Sequence, residues 1–128
     1  EHENTRLIAC IDNELQIIQG MQSLLSDWGY HVVTAQDAKE LIPKLKGKVP
    51  DVLIVDYHLD LNITGLETYQ YLSKIWFARI PCMIITADYT REVEENIINS
   101  GLVLLKKPVK AMALRSQLNQ IISTLYSE

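Results

Sequence analysis

Two acids, a hydroxyl and an amine each stand at the end of a short apolar run. Asp12 follows Leu7-Ile8-Ala9-Cys10-Ile11, and Asp56 follows Val52-Leu53-Ile54-Val55. Thr86 closes Cys82-Met83-Ile84-Ile85, and Lys107 comes just after Leu102-Val103-Leu104-Leu105 and Lys106. Runs of this length, bounded by Pro, Gly or polar residues, read as strands buried on both faces, the kind that builds a parallel sheet. Open parallel sheets gather their chemistry at the carboxyl ends of their strands. The four side chains then share one edge, and together they suit phosphate chemistry with a divalent metal. Hard cations such as Mg2+ take carboxylate oxygens, phosphate oxygens and water. A carboxylate can itself be the nucleophile and form an aspartyl-phosphate. An ammonium neutralises a phosphoryl oxygen, and a hydroxyl hydrogen-bonds another.

Taken singly, each residue has a plainer explanation. An Asp at a strand end is more often a turn or helix-cap residue. Thr86 suits a strand as a β-branched residue, and Lys107 is one of two adjacent lysines. The joint placement at four strand ends is what favours chemistry, with Asp56 at its centre.

The segments between the runs carry helical signals. Asn13 with Gln16, Asp37 with Glu40, and Thr64 with Glu67 match capping boxes, and Thr90 can cap a further helix. Leu15, Ile18, Met21, Leu25 and Trp28 repeat at helical spacing up to Gly29. Leu41, Ile42 and Leu45 give a short second helix that has to accommodate Pro43. Leu66, Tyr69, Leu72 and Ile75 give a third, Val93 and Ile97 a fourth, and Ala111, Leu114, Leu118, Ile121 and Leu125 a fifth. With a strand at 30–35, five strands alternate with five helices. The expected fold is α/β: a doubly wound five-stranded parallel sheet with helices on both faces. Residues 57–63 read as a polar loop, residues 1–5 as a tail, and residues 6–126 as the domain.

At 128 residues, 48% hydrophobic and 22% charged, the chain has the makeup of one soluble globular domain. A net charge of -4, with no basic cluster beyond Lys44, Lys46 and Lys48, argues against a nucleic-acid partner. Cys10 and Cys82 lie inside apolar runs and read as buried free thiols, which suits a reducing compartment. No apolar run approaches the ~20 residues of a membrane span, so a cytoplasmic domain without membrane contact is expected. The first residue is Glu1, which fits a piece of a longer protein.

The pieces Ile11-Asp12-Asn13-Glu14, Val55-Asp56, Thr64-Gly65-Leu66-Glu67, Ile85-Thr86-Ala87 and Lys107-Pro108 resemble, in order and spacing, the receiver domain of bacterial two-component response regulators. The match covers nearly all of residues 6–126. The resemblance implies a flavodoxin-like sheet of order 2-1-3-4-5. It implies that Asp56 is the phosphoacceptor, taking a phosphoryl group from a phosphohistidine. The donor would be a histidine kinase dimerisation and phosphotransfer domain, in the same chain or in trans, or a histidine phosphotransfer protein. Asp12, Asp56 and the backbone carbonyl of His58 would hold Mg2+. Thr86 would swing toward the phosphoryl group, Lys107 would pair with one of its oxygens, and the Lys107-Pro108 bond would be cis. The wording of Asp56-Tyr57-His58-Leu59-Asp60, of Ile84-Ile85-Thr86-Ala87-Asp88 and of Lys107-Pro108-Val109-Lys110 is most similar to receivers at the C-terminal end of hybrid sensor histidine kinases. The kinase would then lie upstream of Glu1, in a parent that can be membrane-anchored. The domain's own catalysis would be confined to its phosphorylation and dephosphorylation.

Three positions depart from the family pattern. Asn13 stands where a second acid is usual, which leaves an amide oxygen and implies weaker Mg2+ binding. Leu104 stands at the switch position where the family often has an aromatic. The loop after Asp56 is one residue longer than usual and lacks its proline. Asn13 and Leu104 support a competing expectation, a docking module that keeps the fold without the chemistry. Retention of Asp12, Asp56, Thr86 and Lys107 argues against it. A haloacid-dehalogenase-type hydrolase would need an acid at His58, and a flavodoxin would need a phosphate cradle in the first loop.

Overall fold

A computed structural model describes residues 5–60 and 62–126. The elements run β1 (Leu7–Ile11), α1 (Leu15–Asp27), β2 (His31–Ala35), α2 (Ala38–Leu45), β3 (Val52–Asp56), β4 (His58–Asp60), β5 (Ile63–Thr64), α3 (Gly65–Trp76), β6 (Cys82–Thr86), α4 (Arg91–Asn99), β7 (Val103–Lys106) and α5 (Ala111–Tyr126). Five strands form one parallel sheet in the order β2-β1-β3-β6-β7. Since β6 and β7 are its fourth and fifth strands, this is the order 2-1-3-4-5 that the family resemblance implies.

Alternation along each strand divides the interior into two cores. Ala9, Ile11, Leu53, Val55 and Ile84 face α2, α3 and α4 through Leu41, Leu72 and Ile97. Ile8, Cys10, Ile54, Met83 and Ile85 face α1 and α5 through Leu25, Leu114 and Leu118. Every residue of β3 and β6 is buried, which is why those strands read as unbroken apolar runs. Both cysteines are free and buried, and burial pushes the Cys10 thiol up to about 12. Among the described residues, no helix is long and apolar enough to cross a membrane. The sequence-expected tail, residues 1–5, lies outside the described residues except for Thr5.

Four local expectations are corrected. Asn13 does not cap α1: Glu14 is the N-cap and makes no side-chain cap bond. Asp12, just past the strand end, accepts the Glu14 N–H on its Oδ1 at 2.9 Å, which closes a turn ahead of the helix and does not cap it. Leu15 is accordingly turned outward, at 58% exposure. Ile75 is also exposed, and Trp76 packs on the core in its place. Steps of three residues fall about 60° short of a full helical turn, so a stripe so spaced rolls off the buried face by its fourth member.

The fourth correction concerns residues 57–63. Within this stretch His58–Asp60 pairs antiparallel with Ile63–Thr64, β4 with β5, where an open loop is expected. His58 pairs with Thr64 and Asp60 with Ile63, so two steps on one strand oppose one on the other. That register shift marks a β-bulge. Tyr57 and Leu59 are both buried.

Candidate functional site

The sheet register sets the site. Asp56 sits beside Ile85, and Thr86 beside Lys106. The ladder runs one residue further at each end. Tyr57 N–H donates to the Ile85 carbonyl at 2.8 Å and Lys107 N–H to the Thr86 carbonyl at 2.9 Å. These bonds fix the direction in which Asp56 and Lys107 leave the sheet. Asp12, Asp56 and Thr86 are the buried polar side chains here, at 5%, 6% and 1% exposure.

Lys107 joins the acids. Its Nζ lies 3.2 Å from Asp56 Oδ1, 3.3 Å from Asp12 Oδ2 and 3.3 Å from Glu14 Oε1. Three carboxylates against one ammonium leave an excess of two negative charges. Burial, and then the charge of Asp12, push the Asp56 carboxyl above its ordinary value, while Lys107 pulls it back. Burial alone would lower the Lys107 ammonium, but Asp56 and Asp12 outweigh it, and the net direction is upward.

The segment after Thr86 is tied down on itself and on both neighbours. Thr86 Oγ1 accepts from Asp88 N–H at 2.8 Å, so the hydroxyl is engaged by its own loop. Asp88 Oδ1 accepts from Thr90 N–H at 3.0 Å, and Asp88 Oδ2 meets His58 Nε2 at 2.8 Å. Bonding to the His58 ring, then to Thr90, draws the Asp88 carboxyl down to about 2. On the other side, the Tyr89 hydroxyl donates to the Lys107 carbonyl. Lys107-Pro108 is cis.

Gly65, the first residue of α3, lies against the peptide that follows Asp56. Its N–H donates to the Tyr57 carbonyl. A Cβ built at Gly65 would stand 2.3 Å from the Asp56 carbonyl oxygen. The Thr64–Glu67 capping box is complete, so the helix start is fixed in this position.

Asp12, Asp56 and Lys107 therefore meet directly, and Thr86 sits one strand end away with its hydroxyl turned to Asp88. His58 sits just beyond Asp56, and its ring reaches Asp88. Asn13 is exposed at the rim, where its carbonyl accepts from Gln36 Nε2 at 3.0 Å. Leu104 is half-buried against the α2–α4 core. The His58–Asp88 and Tyr89–Lys107 contacts join residues 30 and 18 positions apart and leave no local trace in the pattern of residues. The close approach at Gly65 did leave a signal: a glycine directly after a good N-cap, where other residues start a helix better.

Among the described residues, no three His, Cys, Asp or Glu side chains form a cage for a metal. The donor set is instead two buried carboxylates with surplus negative charge. That fits a hard divalent cation which keeps several waters and is held by one or two carboxylates.

A transcriptional regulatory protein, ZraR of Klebsiella oxytoca, is 27% identical over 117 residues, covering 91% of this chain and 26% of that protein. The chain thus spans about a quarter of the length of the curated relatives it matches first. Among solved structures, a CheY-like response regulator receiver domain protein from Methanospirillum hungatei superposes with a TM-score of 0.82 at 19% identity, covering 98% of this chain and 100% of that one. A two-component response regulator from Clostridium difficile gives 0.84 at 20% identity, covering 95% and 99%. At these identities the structures speak for the fold alone. Residues 8–119 match the response regulator receiver domain. The chain belongs to the response regulator receiver domain family.

Proposed function

We propose that this domain is the phosphoacceptor of a two-component phosphorelay, with Asp56 as the residue that carries the phosphoryl group. The observation behind it is the placement of a buried carboxylate, Asp56 Oδ1, 3.2 Å from the Lys107 ammonium, with Asp12 and Glu14 around the same nitrogen. An Asp56 oxygen attacks the phosphorus of a phosphohistidine. The P–O bond forms as the P–N bond breaks, and the imidazole leaves with the bonding electron pair and takes up a proton. Lys107 balances charge on a phosphoryl oxygen, and Thr86 supplies a hydroxyl once it lets go of Asp88. Asp12, Asp56 and the backbone carbonyl of His58 would hold Mg2+, which when bound offsets the charge of the phosphoryl oxygens. An apolar groove lined by Ile17, Gly20, Met21, Pro108 and Val109 runs up to Lys107 and offers the donor protein a seat beside the site.

The finer placement, as the C-terminal receiver of a hybrid sensor histidine kinase in the cytoplasm, is supported by the wording of the motifs around Asp56, Thr86 and Lys107. The ZraR relatives, named as transcriptional regulators, lend that placement no support. The donor is then the kinase's phosphotransfer domain or a histidine phosphotransfer protein.

Incubation with Mg2+ and acetyl phosphate, followed by intact-mass measurement, tests the central reading. The wild type should gain one phosphoryl group and Asp56→Ala none. An unmodified wild type at saturating donor would favour the docking module. Asn13→Asp adds a carboxylate at the rim of the acid cluster and is expected to tighten Mg2+ binding by about three- to tenfold. Equal affinities in a Mg2+ titration would remove Asn13 from the account of the metal site.

A further inference from the structure

We infer that Tyr89 is a positioning residue that latches the Thr86 loop to the lysine side of the site in the resting state, an inference that rests on Asp56 being the phosphoacceptor. The Tyr89 hydroxyl donates to the carbonyl of Lys107, whose ammonium meets Asp56. The Tyr89 ring lies under the Lys106 ammonium, 5.2 Å from its centroid, and Lys106 also pairs with Glu94 of α4 at 3.3 Å. Tyr89 therefore touches the β7 end, and through Lys106 it is linked to α4.

The same residue belongs to the turn that holds Thr86. Asp88 N–H occupies Thr86 Oγ1, and Asp88 Oδ1 holds Thr90 N–H, so residues 86–90 form one hydrogen-bonded unit. For the Thr86 hydroxyl to face a group on Asp56, the Asp88 N–H bond must open and that unit must shift. Tyr89 lies inside it and leaves the Lys107 carbonyl in the same movement. Leu104 carries no polar group and packs into the core, so it makes no comparable link between the two loops. The aromatic contact of this switch is thus supplied from the β6–α4 loop. Tyr89 is 51% exposed, so its freed hydroxyl finds water, and opening the latch costs about what one hydrogen bond contributes net.

Tyr89→Phe keeps the ring over Lys106 and removes only the latch. Calorimetric titration of beryllofluoride at saturating Mg2+ should show the variant binding about two- to tenfold more tightly than the wild type, the span that one net hydrogen bond allows. Tyr71→Phe, which alters an exposed tyrosine on α3, should leave the midpoint where it was. Loss of a merely structural contact would lower the melting temperature without tightening binding. An unchanged or weaker midpoint in Tyr89→Phe therefore overturns the latch while leaving the phosphoacceptor in place. A wild type that binds no beryllofluoride and gains no phosphoryl group sinks the phosphoacceptor, and the latch with it.

Discussion

Gly65→Ala is expected to lower the stability of the domain by about 3 kcal/mol, on the order of 10 °C in melting temperature, and to slow labelling by acetyl phosphate about a hundredfold. The added methyl would sit 2.3 Å from the Asp56 carbonyl oxygen, 3.0 Å from its carbonyl carbon and 3.2 Å from Val55 Cγ2. The two nearest atoms are backbone of a strand buried on both faces, so no flexible side chain can swing away. The helix cannot easily retreat either. Its start is held by the Thr64–Glu67 box, its flank by Tyr69 Oη donating to the Ile80 carbonyl at 2.8 Å, and its core by fully buried Leu72. Whichever side yields, the peptide after Asp56 moves, and the carboxylate moves with it. Gly20→Ala supplies the opposite control. Gly20 is mid-helix in α1 with nothing within 4 Å of its would-be Cβ, and the change should stabilise by about 0.5–1 kcal/mol. If Gly65→Ala melts with the wild type and labels at its rate, the close packing at Asp56 carries no weight in the site.

The strand ends were legible because burial on two faces leaves an unbroken apolar run and a polar residue stops it. Asp12, Asp56 and Thr86 stand out for that reason. Helix starts were harder. Thr64 and Glu67 reach each other as their spacing suggests, whereas α1 starts one residue later than Asn13 would set it, on Glu14 and with no side-chain cap. The hairpin at 58–64 escaped notice because its strands are three and two residues long, too short for alternation to register. The clasps around Thr86 left no local trace. His58 and Asp88, or Tyr89 and Lys107, become neighbours only because β3, β6 and β7 lie side by side. Strand order was supplied by the family resemblance, but side-chain reach across strand ends is a property of the folded edge.

Lys107→Met should cost about 3 kcal/mol near neutral pH, with a deficit that shrinks on acidification, and should slow labelling of Asp56 about a hundredfold. Met keeps the apolar stem out to Cε, so what disappears is the ammonium and its charge. Without it, Asp12, Asp56 and Glu14 face one another with no cation between them, two of them buried. The pH dependence follows from Asp56. Burial and Asp12 already hold its carboxyl above the ordinary 3.8, and loss of Lys107 removes the cation that opposes them. The folded state then holds the Asp56 proton more tightly than the unfolded chain does. Where the folded state binds more protons, stability falls as pH rises. The fall begins near the ordinary aspartate value and is complete above the raised one, so the variant is closest to the wild type in acid. The wild-type ammonium titrates in the same sense but in a far more alkaline window. Its value is raised, so its contribution is fully present below 10.5 and is lost only as pH climbs through the folded value. Urea unfolding of both proteins between pH 4 and pH 8 reads the difference directly. Parallel curves would mean that Lys107 does not hold the Asp56 carboxylate, and the charge balance proposed for phosphoryl transfer would lose its cation. Converging curves at low pH, with labelling lost at neutral pH, would place the same nitrogen at the centre of both the site's stability and its chemistry.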